Sequence, residues 1–276
     1  VTVAMSGDGG DELFAGYHRY FLARKFQKYI LSQNKLFKRI VYNVIKTLPV
    51  EFWNNFGKFL PNKYGGNQFG DKIYKIANFI YESDENSFYE RLISNIESPQ
   101  SLLLYNDVRK SKIFEKKINE LFPDFVERMQ FLDTITYLPD DILTKVDRAS
   151  MHHSLEVRVP FLDHKVVEFA RKLPINEKIK NNEGKIILKK ILKKYLPQRL
   201  VEKKKMGFGI PLGKFINENL SKEIDNYLNI KKVEEQNLFD LKKYKKYWYE
   251  HKNGKRNWQY LIWNFFVFQR WYEKWH

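Results

Sequence analysis

Seven residues near the start of the chain, Ser6-Gly-Asp-Gly-Gly-Asp-Glu12, concentrate the groups best suited to chemistry. Glycine allows close backbone approach and positive φ angles. The backbone amides that open a helix favour anions, so a phosphate is a natural occupant. Yet Asp8, Asp11 and Glu12 share the loop, and three carboxylates would repel a phosphate. A divalent cation between them removes the conflict, because magnesium takes oxygens from one or two carboxylates together with phosphates. These residues therefore point to Mg²⁺ held with a nucleotide or with pyrophosphate. The same residue types also suit a plainer role, an acidic turn capping a helix, with glycines for tightness.

Several phosphate and metal motifs are excluded. The loop reads G-x-G-x-x-E, so the third glycine of a dinucleotide fingerprint is missing. No Gly-Lys-Ser/Thr follows, which rules out a Walker A loop. The oxygen spacing and closing glutamate of an EF-hand are absent. His152 and His153 are adjacent, so they point to different faces of a helix and make a poor metal pair. The chain has no cysteine, so it holds no disulfide, thiolate zinc site or cysteine nucleophile.

The elements around the loop must hold it in place. Val1–Met5 reads as a buried strand entering the loop, and Leu13, Phe14, Tyr17 and Tyr20 form an apolar helix leaving it. Most of the rest is helical. Apolar spacing over Leu22–Leu48 predicts a helix with a basic opposite face. The stretch 62–71, with Gly65, Gly66 and Gly70, predicts a loop and no domain boundary. Ser87 with Glu90 predicts a capping box for a helix through Ile96. Two helices are expected over Phe125–Leu138 and Asp141–Leu155, separated by Pro139. Asp163 should cap a helix over His164–Leu173. A lysine-faced amphipathic helix is expected over Gly184–Leu196, and an aromatic one over Trp258–Trp275 that must pack on something. No internal repeat or low-complexity linker is visible.

The 276 residues are 43% hydrophobic, enough for one or two cored domains. The chain opens on Val1 inside a strand, which implies a segment upstream. The most apolar run, around Tyr260–Phe268, is too short to cross a bilayer of about 30 Å, so no membrane partner is expected. Net charge is +16, the kind of excess that can mark nucleic-acid binding. Here lysine far outnumbers arginine and is spread over many segments, and no ribonucleoprotein motif or zinc finger accompanies it. A lysine-rich surface without a nucleic-acid partner is the expectation. The lack of cysteine fits a reducing, cytoplasmic location.

The full string Ser6-Gly-Asp-Gly-Gly-Asp-Glu-Leu-Phe-Ala-Gly-Tyr17 resembles the asparagine synthetase family. Two further segments follow in that family's order. The first is Leu138-Pro-Asp-Asp-Ile-Leu-Thr-Lys-Val-Asp-Arg-Ala-Ser-Met151 with Leu155-Glu-Val-Arg-Val-Pro-Phe-Leu-Asp163, and the second is Lys203-Lys-Lys-Met-Gly-Phe-Gly-Ile-Pro211. The resemblance runs from the first strand to the aromatic tail. It implies a mainly α-helical fragment of an α/β ATP-pyrophosphatase (adenine nucleotide α-hydrolase-like) synthetase domain, with the first strand in a parallel sheet. It also implies amidation of aspartate through a β-aspartyl adenylate, with ATP and Mg²⁺ as cofactors and nitrogen from glutamine or ammonia.

Carried over by motif, Ser6 and Gly7 would contact ATP. Asp8 would lie near the reacting acyl carbon and help ammonia lose its proton. Asp11 would hold magnesium on pyrophosphate. Lys205, placed in register by Met206-Gly-Phe-Gly209, would stabilise charge on the phosphates, as phosphoryl and adenylyl transfer require. Asp147 and Arg148, with Glu156 and Arg158, would lie near the nucleotide or aspartate, or else form a buried salt-bridge network fixing the Pro160 turn. The family's Ser-Gly-Gly-x-Asp-Ser ATP loop and its cysteine-led glutaminase domain are not in the chain, so both are expected upstream. The chain alone should then not make asparagine at an enzyme-like rate. Related amide-forming ligases, of β-lactam synthetase or peptide-macrocyclising type, share the adenylation step and differ in the nucleophile. A basic non-catalytic nucleic-acid module is the reading from another class.

Overall fold

The computed structural model describes residues 1–61, 68–96, 98–105, 116–201 and 209–276. The chain divides into two compact units, Val1–Ser32 with Ser111–Met206, and Gln33–Lys110 with Gly207–His276.

Unit 1 carries a two-stranded parallel sheet, β1 (Val3–Met5) and β2 (Glu156–Arg158), with Val3 opposite Glu156 and Met5 opposite Arg158. The parallel placement of the first strand agrees with expectation. Its burial does not: Val3 is 45% and Met5 81% exposed. A parallel strand is buried only when elements cover both of its faces, and these side chains are uncovered here. β2 was not expected at all. The helix read over Asp141–Leu155 stops at Met151, and Ser154, at φ +55°, turns the chain into the strand.

Upstream of that helix, Asp124 accepts hydrogen bonds from the amides of Val126 and Glu127 and so starts the helix Phe125–Ile135. Thr136 leaves helical geometry (φ −126°, ψ −76°), three residues before the expected break at Pro139. Pro139 instead sits in the first turn of a π-helical segment, Leu138–Leu143, where a missing amide proton costs nothing. That segment runs directly into the helix Thr144–Met151. Asp163 caps His164–Lys172 as expected, accepting from the Lys165 amide at 2.9 Å. The lysine-faced helix is confined to Ile186–Leu192, because Lys185 adopts φ +57° and cannot belong to it.

Unit 2 begins inside the stretch read as one helix over Leu22–Leu48. His18–Lys25 continues as a π turn over Phe26–Leu31 and then stops. Asn34 restarts the chain as a new cap, accepting from the Leu36 amide at 2.8 Å, and Lys35–Thr47 follows. The boundary between units falls in this break. The helix Glu85–Ile93 is capped by Asp84 and not by Ser87, whose amide donates to Asp84 Oδ1 at 2.9 Å. Aspartate one turn earlier satisfies the same free amides. Of the expected 62–71 loop, residues 62–67 lie outside the described residues, and a helix, Phe69–Tyr81, has begun by Phe69. The aromatic helix Gln259–Trp275 finds its partner in Leu241–Lys252: Tyr244, Trp248, Ile262 and Phe265 are buried together with Ile216, Ile224 and Tyr227.

Candidate active site

The candidate site lies wholly within unit 1, on the loop leaving β1. The Ser6 amide donates to the Arg158 carbonyl at 2.9 Å, so the start of the loop is tied to β2. Ser6 Oγ donates to Asp8 Oδ2 at 2.6 Å. Gly9 then turns with φ +80°, a conformation that side chains resist. A Cβ on Gly9 would also meet the Leu162 side chain at 2.5 Å. Phe161 packs beside this turn, its ring 5.7 Å from that of Phe14. The end of the second sequence motif is therefore the floor under the glycines of the first.

The exit of the loop is held by a residue that sequence reasoning did not single out. The Lys185 amide donates to the Phe14 carbonyl at 2.9 Å. Close approach is possible because Gly184 has no side chain: a Cβ there would lie 2.0 Å from the Ala15 carbonyl oxygen. This clamp brings Lys185 Nζ to 3.2 Å from Asp11 Oδ1. A cation thus stands beside the loop where one was expected to act on phosphates. The available signal was Gly184-Lys185 at the foot of the lysine-faced helix, but helical periodicity masked its left-handed backbone.

The three loop carboxylates do not act as a set. Asp8 and Asp11 are partly exposed, whereas Glu12 is buried. Tyr17 Oη donates to Glu12 Oε1 at 2.7 Å, and the Gln130 amide donates to the Glu12 carbonyl oxygen. Burial pushes the Glu12 carboxyl above its ordinary value, with the Tyr17 hydrogen bond opposing it. Burial and the bond to Glu12 also push the Tyr17 phenol up. Alongside, Asp133 accepts from Tyr20 Oη at 2.6 Å and from Arg19 Nε at 2.9 Å, and the Arg19 guanidinium lies over the rings of Tyr17 and Tyr137. This layer fixes the loop to the helix Phe125–Ile135. Asp8 and Asp11 stay partly exposed, Asp8 bonded to Ser6 Oγ and Asp11 paired with Lys185.

The other expected site residues divide. Asp147 and Arg148 are exposed on the helix Thr144–Met151, and neither side chain makes an ion pair among the described residues. The buried salt-bridge network is not found. Arg158 and Glu156 pair at 2.7 Å with side chains 69% and 51% exposed, because alternate residues of β2 face outward. His152 and His153 are exposed, with rings 5.0 Å apart. Lys205 lies outside the described residues. Among the described residues no group of three or more metal-ligating side chains gathers. A magnesium ion here would draw on Asp8 and Asp11 for at most two carboxylates, with its remaining oxygens from phosphate and water, the usual arrangement for that ion.

The sequence profile of the asparagine synthase family matches residues 1–273, nearly the whole chain. The chain belongs to the asparagine synthase family. Within that family it is 31% identical over 228 residues to the glutamine-hydrolysing asparagine synthetase 1 of Bacillus subtilis (strain 168), covering 83% of this chain and 34% of that protein. A Mycobacterium bovis relative is 27% identical over 272 residues, 99% of this chain and 39% of its own length. The glutamine-hydrolysing asparagine synthetase 3 of Bacillus subtilis is 38% identical over 85 residues, 31% of this chain and 14% of its own. This asparagine synthase family chain thus spans little more than a third of the length of these first two relatives. No solved structure matches it. No helix among the described residues is long and apolar enough to cross a membrane.

Proposed function

We propose that this chain is the C-terminal part of the synthetase domain, of ATP-pyrophosphatase fold, in an enzyme that amidates aspartate to asparagine with ATP. The upstream part would supply the ATP loop and a glutaminase domain. The supporting observation is the β1 loop itself. A glycine turn carries two partly open carboxylates, Asp8 and Asp11, with Lys185 Nζ 3.2 Å from one of them. Mixed charge of this kind suits a metal–phosphate complex better than a bare anion.

In this reading Ser6 and Gly7 contact ATP, and Asp11 holds Mg²⁺. The ion, when bound, would neutralise the departing pyrophosphate. Lys185 and Lys205 offer fixed positive charge to the same phosphates, while Asp147 and Arg148 lie towards the nucleotide. Asp8 accepts a proton from ammonia as nitrogen joins the β-carboxyl carbon of the aspartyl adenylate and AMP leaves. Ser6 Oγ, bonded to Asp8, keeps that carboxylate aimed. The ammonia derives from glutamine or from solution.

The test uses a chain of the relatives' full length. Asp8→Ala should lower asparagine formation about 100-fold or more, the range for losing a positioned proton acceptor. ATP binding should change far less. Unchanged asparagine formation would reject the role of Asp8, and absence of AMP production in the parent protein would reject the reaction itself.

A further inference from the structure

Two lysines of the short helix Ile186–Leu192 make ordinary surface pairs. Lys189 Nζ lies 3.5 Å from Glu183 Oε2, and Lys190 Nζ lies 3.3 Å from Glu177 Oε2. Lys185, at the foot of that helix, is different. Its ammonium turns to the β1 loop and meets Asp11 Oδ1, with side chains 31% and 22% exposed. The backbone that aims it is unusual for a lysine. The preceding turn places Asn181 and Asn182 at φ +50° and +61°, and Lys180 and Glu183 close it with hydrogen bonds in both directions, at 2.9 and 2.8 Å. Asparagine suits that conformation. Lys185 takes φ +57° without that aptitude and is held there by its amide bond to the Phe14 carbonyl. A long side chain kept in the left-handed region is held by its surroundings, and such residues gather at functional sites.

The space around this pair is shaped by bare backbone. A Cβ on Gly16 would collide with Asp11 Oδ1 and with Lys185 Cε. A Cβ on Gly10 would stand 3.7 Å from Lys185 Nζ, in ordinary contact. The ammonium thus stands among the glycines of the loop, beside the carboxylate that the proposed reading gives to Mg²⁺. The main chain of Lys185 is clamped, but its ammonium rides on a flexible four-carbon stem and can move several ångströms while the clamp stays closed.

Two cations cannot sit against one carboxylate oxygen without repelling each other. A divalent ion that takes Asp11 must therefore displace Lys185 from it. The displaced ammonium then needs another anion, and phosphate oxygens arriving with the metal supply one within reach of the stem. We propose that Lys185 is an exchangeable counter-ion, paired with Asp11 until a metal–phosphate complex enters the loop and with the phosphate afterwards. The inference rests on the reading of Asp11 as the Mg²⁺ ligand and adds the regulation of that site. It makes the two ligands interdependent. Metal alone binds weakly, because it strips Asp11 of its cation and leaves the ammonium without a partner. Metal with pyrophosphate gives every charge a partner. Coupling of this kind is reciprocal, so each ligand strengthens the other by the same factor.

The test uses a chain of the relatives' full length without aspartate, so that nothing turns over. Mn²⁺ alone is titrated by electron paramagnetic resonance, and inorganic pyrophosphate by calorimetry at saturating Mg²⁺. Lys185→Asn removes the cation and keeps a residue type that accepts the left-handed conformation. It should bind Mn²⁺ alone about tenfold more tightly than the parent, and pyrophosphate about tenfold more weakly, the scale of one charge pair near a protein surface. Opposite signs mark the exchange, since a damaged loop would weaken both. Lys185→Met, which removes the charge by another route, should repeat both shifts, and Lys185→Arg should stay closer to the parent in each. Asp11→Asn should weaken Mn²⁺ binding in the presence of pyrophosphate. If it does so while Lys185→Asn and Lys185→Met fail to tighten Mn²⁺ or fail to weaken pyrophosphate, the exchange is overturned and the Mg²⁺ reading of Asp11 stands. If Asp11→Asn leaves metal binding unchanged, that reading is overturned and this inference with it.

Discussion

Both units bury apolar and polar side chains, but they fix their principal elements by different means. Unit 1 places Glu12, Gln130, Asp133 and Lys178 inside, each nearly or fully inaccessible. Unit 2 packs Tyr244, Trp248, Phe265 and Phe266 around the aromatic C-terminal helix. The difference follows from what each unit must hold. A glycine loop has little apolar surface, so it is fixed through hydrogen bonds such as Tyr17 to Glu12 and Tyr20 to Asp133. A long aromatic helix is fixed by removing its rings from water. Buried polar networks specify geometry but add little net stability, whereas buried rings add a great deal.

Truncation of a central ring gives the largest expected effect. Phe265→Ala should destabilise unit 2 by about 4 kcal/mol, from lost transfer energy plus a cavity. All six tryptophans lie in unit 2, so denaturation followed by tryptophan fluorescence reads this unit selectively. A cost under about 1 kcal/mol would erase the contrast between the units.

Next in size is a gain of stability in unit 1. Burial and the Arg171 guanidinium push the Lys178 ammonium down to about 8 from 10.5, so its charged form is penalised in the folded state. The penalty is complete below pH 8 and disappears as pH rises from about 8 to 10.5. Lys178→Met should therefore stabilise unit 1 at pH 7, on the order of 3 kcal/mol, and should remove the rise in stability across that window. Hydrogen exchange of the helix Phe125–Ile135 at pH 7 and circular dichroism melts across the window would show it. A loss of stability at pH 7 would mean that Lys178 is well satisfied where it sits.

Glu12 sharpens the same contrast. Its raised pKa means that stability present below 4.5 is lost as pH rises through the folded value. Glu12→Gln keeps an acceptor for Tyr17 and should flatten that fall in acid-to-neutral melts. A fall unchanged in the variant would place the titration elsewhere. The smallest effect belongs to the outward face of β2. Arg158→Ala should change stability by less than about 0.5 kcal/mol, as for other exposed pairs, in the same melts. A larger loss would show that the Arg158 side chain does more than meet Glu156.

Much of this organisation can be read along the chain. Helix periodicity located the lengths from His164 and from Gln259, since an apolar stripe has one way to leave water. Asp163 was recognisable as a cap because its chemistry is local. The β1 turn was legible because glycines after an apolar strand mark a tight turn into a helix, and Gly9 takes φ +80° there. Boundaries were less legible. The run over Leu22–Leu48 keeps helical spacing on both sides of Asn34, so nothing in its pattern marks the passage from one unit to the other. Ser87 carried a capping signature, yet Asp84 reached the free amides first.

By itself the sequence determined that a glycine turn rich in carboxylates follows the first strand, and that most of the chain is helical. Both depend on residue type and near-neighbour spacing. Only the tertiary structure decided that Glu12 turns inward while Asp8 and Asp11 stay partly exposed, and that Lys185 reaches Asp11 from 174 residues away along the chain. It also decided that Leu162 supports Gly9 and that β2 pairs with β1. These are contacts between distant segments. Burial and hydrogen-bond partners are properties of packed neighbours, and spacing along a chain does not encode which neighbours those will be.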